Sequence, residues 1–370
     1  VQSKEGLGLI VMEGAKAFGN LVDRWLCRAT DAPEGFTYRI EHEEPRFGNG
    51  EAKAALKESV RGMSLFILAD VLNYSCTYDM RMHKGIPMSP DDHYMDLKRM
   101  ISAIGGKANQ INVIMPYLYG GRQHKRTSRE SLDAALMLQE LTSLGVRDII
   151  TFDAHDPRVE NAVPVNGFDN LLPTYQILKT LFRPGVMRDI HNCVVVSPDE
   201  GAMTRNLVFA SALGADVGMF YKQRDLREVH NGKNAIIKHE YMGVDLTGRD
   251  VLIVDDILDS GGSMLSVAKK VRERGARDVV IAVTFAWFSE GLGAFHEAHR
   301  QGYIHRLIST NLTYRPKELL EAEWYEDTDL SKYLSYVIYS IHNDMSIHKL
   351  LNPAEKIQAF LEERYFKKQP

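Results

Sequence analysis

Asp255 and Asp256, followed closely by Asp259-Ser260-Gly261-Gly262-Ser263, bring carboxylates, hydroxyls and paired glycines into one short stretch. Glycine lets bare backbone N–H groups close on an anion and serine hydroxyls add donors, so the second part suits a phosphate. The carboxylates would repel a simple anion. They fit if they accept hydrogen bonds from sugar hydroxyls or hold Mg2+, and a phosphorylated sugar satisfies both parts. An ordinary strand-to-helix turn also uses Asp and Ser as caps and Gly for its geometry. The combination favours a site.

Five further groups carry chemistry. Arg122-Gln123-His124-Lys125-Arg126 follows Gly120-Gly121, giving donors for a polyphosphate, with a solvated basic loop as the plain alternative. Asp153-Ala154-His155-Asp156 and Ser197-Pro198-Asp199-Glu200-Gly201 place carboxylates where strands end, suited to metal or phosphate, although a lone histidine is more often structural. Lys222-Gln223-Arg224 opens a long charged stretch to about Lys238, either an active-site lid or a disordered connector; two cations beside a strand favour the lid. Phe47-Gly48-Asn49-Gly50-Glu51 reads as a tight hairpin turn whose aromatic, amide and carboxylate could also meet a purine.

These groups need a scaffold. Val251 to Val254 is an uninterrupted apolar run, as a strand buried on both faces requires, with the acidic pair standing where it ends. Met264, Leu265, Ala268 and Val271 recur at helical spacing after the glycines, so the turn is a helix N-terminus. Strands are expected at Leu9 to Met12, Phe36 to Glu41, Phe66 to Leu72, Ile111 to Met115, Cys193 to Val196 and Ala215 to Tyr221. Helices are expected at Gly14 to Cys27, Pro90 to Gly105, Arg129 to Leu144 and Phe168 to Phe182, with an irregular insertion at Tyr74 to Pro90. Gly145-Val146-Arg147-Asp148-Ile149-Ile150 is echoed by Gly275-Ala276-Arg277-Asp278-Val279-Val280, each after a helix and opening a strand. That echo implies a duplicated α/β domain. Only the second copy carries the acidic sugar-phosphate form of the loop.

The chain of 370 residues allows two domains. A formal net charge of -4 gives no bulk attraction for nucleic acid. Three cysteines without metal spacing, no apolar run of the ~18 residues a membrane span needs, and an N-terminus unlike a signal peptide make a reducing cytoplasm the expected location. The absence of an initiator methionine is consistent with trimming.

The run Val254 to Ser263, VDDILDSGGS, resembles the phosphoribosyl-diphosphate loop shared by type I phosphoribosyltransferases and ribose-phosphate diphosphokinases. Further motifs in order resemble the diphosphokinases from about Phe47 to Leu351: FxNGE at Phe47 to Glu51, ESVRG at Glu58 to Gly62, PYxYxxRQ at Pro116 to Gln123, DxHxP at Asp153 to Pro157, SPDxG at Ser197 to Gly201 and KxR at Lys222 to Arg224. The resemblance implies two tandem type I phosphoribosyltransferase-like domains, each a mainly parallel sheet flanked by helices. They are expected at 1–165, with the basic loop, and 166–345, with the ribose 5-phosphate loop, before a C-terminal extension at 346–370. It also implies transfer of the diphosphate of ATP to O1 of ribose 5-phosphate, giving 5-phosphoribosyl 1-diphosphate (PRPP) and AMP, with Mg2+ as cofactor.

By the same resemblance, Asp255, Asp256, Asp259, Ser260, Gly261, Gly262 and Ser263 hold ribose 5-phosphate; Phe47, Asn49, Glu51, Arg122 and Gln123 hold ATP; His155 and Asp199 match metal positions; Lys222 and Arg224 match catalytic cations. A homo-oligomer, a dimer or a hexamer built from dimers, is implied because the FxNGE turn of one family subunit reaches a neighbour's ATP. The chain departs from the family in the Tyr74 to Pro90 insertion, in His124 where an acidic residue is usual, in Phe285 where a histidine is common, and after Asn352. A non-catalytic regulatory paralogue and a PRPP-using phosphoribosyltransferase are the competing readings. Since ATP, metal and lid residues are all present, the enzyme is expected.

Overall fold

The computed structural model describes residues 6–230 and 233–364, with backbone alone for 222–239 and 364. The chain divides into two compact units. The first runs to Pro173 and takes back 311–315 and 329–352, and the second comprises 174–310, 316–328 and the chain from Pro353.

In the first unit the order is β1 (Leu7–Val11), α1 (Lys16–Ala29), the short pair β2 (His42–Glu43) and β3 (Ala55–Leu56), then β4 (Ser64–Leu68). The hairpin β5 (Thr77–Met80) and β6 (His83–Pro87) follows, then α2 (Pro90–Ile104), β7 (Gln110–Ile114), α3 (Asp133–Ser143), β8 (Asp148–Phe152) and β9 (Gly167–Leu171). The main sheet has the order β1-β4-β7-β8-β9, parallel throughout. Strands β1 and β4 are buried end to end, which is why they read as unbroken apolar runs. Local chemistry sets α2: Ser89 and Asp92 form a reciprocal capping box, Pro90 takes the first turn, and Gly105 closes the helix in the left-handed region at φ 61°.

Three local expectations change. Phe36 to Glu41 forms a single bridge, Leu9 to Arg39, because the Asp23 carboxylate takes the Tyr38 N–H at 2.9 Å and the Thr37 hydroxyl at 2.7 Å in place of a longer ladder. The insertion is a hairpin, β5–β6, turned at Arg81 with φ 55°. The helix expected from Phe168 starts only after β9, because Pro173 disfavours helical geometry at the residue before it.

In the second unit the order is α4 (Thr174–Leu181), β10 (Cys193–Ser197), α5 (Met203–Leu213), β11 (Asp216–His230), β12 (Lys233–Met242) and β13 (Asp250–Leu258). Then come α6 (Gly262–Glu273), β14 (Val279–Ala286), α7 (Gly293–Arg300), β15 (Arg306–Thr310), α8 (Lys317–Leu320) and β16 (Tyr325–Thr328). The sheet order is β12-β11-β10-β13-β14-β15-β16, with only β11–β12 antiparallel. From β10 the chain steps one way to β11 and returns on the other side as β13. The strand order therefore reverses between β10 and β13, and such a reversal opens a ligand crevice at the strands' C-terminal ends.

Three helices close the chain: α9 (Ser331–His342), α10 (His348–Leu351) and α11 (Ala354–Arg364). Helix α9 packs on α1, and the Tyr333 hydroxyl donates to the Leu350 carbonyl at 2.7 Å. Asn311 ties the returning segments together, donating to Asp329 at 2.6 Å and accepting from the Leu330 N–H at 2.9 Å. Ile357 and Leu361 of α11 are buried in the second unit's core, and Phe360 meets Phe182 and Tyr175 edge-on at 5.4 and 5.9 Å. The units thus divide after Pro173 rather than at 165/166, and the stretch 346–370 contributes a core helix rather than an appended tail. No described helix is long and apolar enough to cross a membrane.

The echoed hexapeptides have the same conformation. Gly145 and Gly275 are left-handed at φ 90° and 87°. Val146 and Ala276 each donate to the carbonyl five residues back, on Leu141 and Val271, and Arg147 and Arg277 enter their sheets through N–H bonds of 2.8 Å to Ile111 and Arg249. The likeness is thus local geometry as well as residue type.

The returning segment 311–315 creates a titratable contact. Asp70, buried beyond the end of β4, accepts the Leu72 N–H at 3.0 Å and the Tyr314 N–H at 2.8 Å. Burial pushes its carboxyl up to about 7, against those two N–H groups and the Arg315 charge. Its folded value lies above the ordinary ~3.9, so between pH ~4 and ~7 the folded state holds a proton that the unfolded chain has lost, and stability falls as pH rises through that window. Asp70→Asn, which mimics the protonated acid, is expected to match the parent below pH ~4 and to exceed it by about 1 kcal/mol or more above pH ~7. Melting curves across this range measure the difference; a pH-independent offset would mean that Asp70 is ionised throughout.

Candidate active site

The acidic pair lies inside its strand. Pairing of β13 with β14 continues past Val254, through Asp255–Val283 to Leu258–Ala286, whereas the apolar run had placed the strand's end at Val254. Two arrangements let carboxylates sit there. Asp255 accepts the Asp256 N–H and Asp256 the Ile257 N–H, both at 2.9 Å. The Arg205 guanidinium, from α5, stands 3.8 Å from Asp255 and 3.9 Å from Asp256. Burial and then the adjacent Asp256 charge hold the Asp255 carboxyl well above the usual range, with Arg205 pulling the other way.

Beyond Leu258, Asp259 and Ser260 turn the chain into α6, and Gly261 is its N-cap in the left-handed region at φ 84°. A Cβ there would lie 2.1 Å from the Phe295 ring, so the position needs glycine for both backbone and space. Gly262 and Ser263 are exposed in the first turn. Phe295 is stacked on Trp324 at 5.6 Å and edge-on to Phe288 at 4.8 Å, an aromatic wall that braces the loop. The expected turn and helix N-terminus are therefore formed, with outward N–H groups suited to phosphate.

Across the strand-order reversal, β10 ends at Ser197 and Asp199 stands in the turn that follows. The Asp199 carboxylate accepts the Gly201 and Ala202 N–H groups at 3.0 and 3.3 Å, and the Ser197 hydroxyl donates to the Asp199 carbonyl at 2.7 Å. Asn206, fully buried on α5, bonds to Val254. Arg205 and Asn206 were absent from the sequence reading. The available signal was their position shortly after SPDEG, but only strand order brings that helix beside Asp255 and Asp256.

The charged loop expected as a lid after Tyr221 takes the form of a long antiparallel hairpin, β11–β12, with register breaks at Gln223/Arg224 and Arg224/Val229. High charge concealed the strand propensity of Ala235-Ile236-Ile237. The backbones of Lys222 and Arg224 pair with His239 and Ile236, while their side chains lie outside the described residues.

In the first unit the loop after β7 carries Arg122 exposed, and Gln123 donates to the Ser131 carbonyl at 2.9 Å. His124 turns inward, its Nε2 3.4 Å from Asp156, and its ring centre lies 5.3 Å from that of His155. Burial lowers the His124 pKa, and His155 and Lys125 add to that against the pull of Asp156. Arg158, bound through Nε and Nη2, holds the Asp156 carboxyl far below its usual range.

The Phe47–Glu51 turn is a hairpin tip: Asn49 donates to the Glu51 carboxylate at 2.7 Å, and the Glu51 N–H returns to Asn49 at 3.1 Å. Phe47 is 50% exposed. The insertion supports this tip, Tyr78 lying under Arg46 at 4.7 Å and the Arg81 N–H reaching the Gly48 carbonyl at 2.7 Å.

Among the described residues no group of three or more His, Cys, Asp or Glu side chains could hold a metal ion. Mg2+ is commonly held by one or two carboxylates with substrate phosphates and water. The oxygens of Asp199 fit that pattern, and the nitrogens of His155 match a hard ion less well. His155 belongs to the first unit and Asp199 to the second.

Residues 29–145 match the N-terminal domain of ribose phosphate pyrophosphokinase, and 169–296 match the phosphoribosyl transferase domain. The chain is 30% identical over 313 residues to the ribose-phosphate pyrophosphokinase of Vibrio parahaemolyticus, covering 83% of this chain and 90% of that one. It is 27% identical over 309 residues to that of Corynebacterium ammoniagenes, covering 83% and 88%. The phosphoribosylpyrophosphate synthetase of Mycobacterium smegmatis shares the fold, with a TM-score of 0.73 at 22% identity over 92% of this chain and 99% of that one.

Proposed function

The chain belongs to the ribose-phosphate pyrophosphokinase family, and we propose that it transfers the diphosphate of ATP to O1 of ribose 5-phosphate, giving PRPP and AMP. The observation that carries this reading is the Asp255–Ser263 loop: an acidic pair within the strand, a left-handed glycine, and a helix N-terminus beside the strand-order reversal. The 5-phosphate is assigned to Ser260, Gly261, Gly262 and Ser263, and the sugar hydroxyls to Asp255, Asp256 and Asp259. Raised affinity of Asp255 for its proton makes it a hydrogen-bonding partner that a sugar hydroxyl or a cation would bring back to its charged form.

ATP is assigned to Arg122 and Gln123 with the Phe47, Asn49 and Glu51 turn. Half-exposed Phe47 accords with a homo-oligomer in which this turn serves a neighbouring copy's nucleotide. The sugar O1 attacks the β-phosphorus in line and AMP leaves. Charge spreading over the equatorial and leaving oxygens calls for cations more than covalent help, and Lys222 and Arg224 are assigned that part. Asp199 and, separately, His155 are each assigned as a ligand for Mg2+, which when bound would neutralise phosphate charge.

Incubation with ATP, Mg2+ and ribose 5-phosphate tests the reading directly. AMP and PRPP in equal amounts are expected; a phosphoribosyltransferase would release no AMP from ATP, and a purely regulatory copy would turn nothing over. Asp255→Asn and Asp256→Asn are each expected to raise KM for ribose 5-phosphate about tenfold or more, with KM for ATP within about twofold, because their partners are sugar hydroxyls or the metal. Unchanged ribose 5-phosphate dependence in both variants would remove the sugar from this loop.

A further inference from the structure

We propose that Asn206 is a positioning residue for the sugar site: it fixes the backbone immediately before Asp255 and so sets where the acidic pair presents its carboxylates. The inference rests on the ribose 5-phosphate reading of this loop. The ladder between β10 and β13 runs from Cys193–Asp250 to Val196–Ile253 and then stops, one residue before β10 itself ends at Ser197, which pairs only with Met219 of β11 before the turn towards α5. Val254 is the first residue of β13 beyond that ladder and the last before the acidic pair. It is 1% exposed and is in register with Ala282 of β14 on one side, while on the other side, where the β10 ladder has stopped, no strand residue pairs with it.

Asn206 replaces the missing strand. Its Oδ1 accepts the Val254 N–H at 3.2 Å and its Nδ2 donates to the Val254 C=O at 2.8 Å. The same Nδ2 donates to the Ala202 C=O at 2.8 Å and to the Ser197 hydroxyl at 3.3 Å. At 0% exposure this amide has no access to solvent as an alternative, and only one orientation of it satisfies both groups of Val254. The adjacent Arg205 faces both carboxylates. One end of α5 thus fixes the backbone through Asn206 and the charge through Arg205, while Asp199 is tied to the same helix start through the Gly201 and Ala202 N–H groups.

An ordinary core asparagine would, when replaced, weaken the whole protein without favouring one ligand over another. A positioning residue for the acidic pair predicts selective loss of the sugar. The test uses Asn206→Leu, alike in branching but without the bonds, and Asn206→Ser, which is read if the leucine variant does not fold. Ribose 5-phosphate in the presence of Mg2+, and separately a non-hydrolysable ATP analogue, are titrated by calorimetry. Kd for ribose 5-phosphate is expected to rise about tenfold while Kd for the analogue stays within about twofold, and kcat at saturating sugar should fall far less than kcat/KM. Equal weakening of both ligands, unchanged affinity for both, or failure of both variants to fold would make Asn206 a general core residue and overturn the proposal. If the unaltered protein binds no ribose 5-phosphate, the sugar reading of the loop falls first, and this proposal with it.

Discussion

Replacing Lys222 or Arg224 by alanine is expected to lower turnover about 10²-fold or more while leaving affinity for ribose 5-phosphate within about twofold, the usual result when an electrostatic contact made only in the transition state is removed. The fold supports such a division of labour. Both residues lie on β11, beyond the part that pairs in parallel with β10, and Arg224 falls at a break in the β11–β12 register. Register breaks of this kind bend a strand and redirect its side chains, and they recur beside active sites. The proposed sugar loop, in contrast, is built from β13, α6 and the aromatic residues behind Gly261. Single-turnover measurements with saturating ATP, paired with direct titration of ribose 5-phosphate, separate the two effects. Equal losses of binding and rate would make the two residues part of the hairpin's structure instead.

Gly261→Ala is the second large effect. An L-residue at φ 84° costs about 1–2 kcal/mol in the left-handed region. The new Cβ would also lie 2.1 Å from the Phe295 ring. That ring cannot swing away freely, held as it is between Trp324 and Phe288, and overpacking of this kind costs about 1–3 kcal/mol. The substitution should therefore lower the melting temperature by several degrees and displace the first turn of α6, with ribose 5-phosphate-dependent AMP formation falling about 10²-fold or more because misplaced donors no longer meet the phosphate. Gly262→Ala is the control for stability, since a Cβ at that position meets nothing within 4 Å and its backbone is not left-handed. Equal melting temperatures for the two alanine variants would show that the Gly261 loop yields to a side chain without strain.

Much of the scaffold was legible along the chain because its causes are local. The helix from Pro90 to Gly105, the glycine turn before Met264 and the apolar run of β10 each depend on residues within a turn of one another. The repeated Gly145 and Gly275 hexapeptides foretold two α/β halves because the same short-range hydrogen bonds recur in both. The candidate site was legible as an order of motifs, among them Ser197–Gly201 at the end of a strand and Asp259–Ser263 at the start of a helix.

Long-range pairing decided the rest. Whether Asp255 and Asp256 end β13 or lie within it depended on the ladder offered by β14 and on Arg205, which lies some fifty residues earlier. The charged stretch after Tyr221 formed a hairpin because Lys233–Met242 was there to pair with it, a partnership that charge pattern does not report. Helices α10 and α11 follow one another in the chain yet belong to different units, since an apolar face states that it must be covered but not by what. Asn206 is the sharpest case: an asparagine in a helix has no local reason to be buried, and its bonds to Val254 form where the β10–β13 ladder has stopped one residue short.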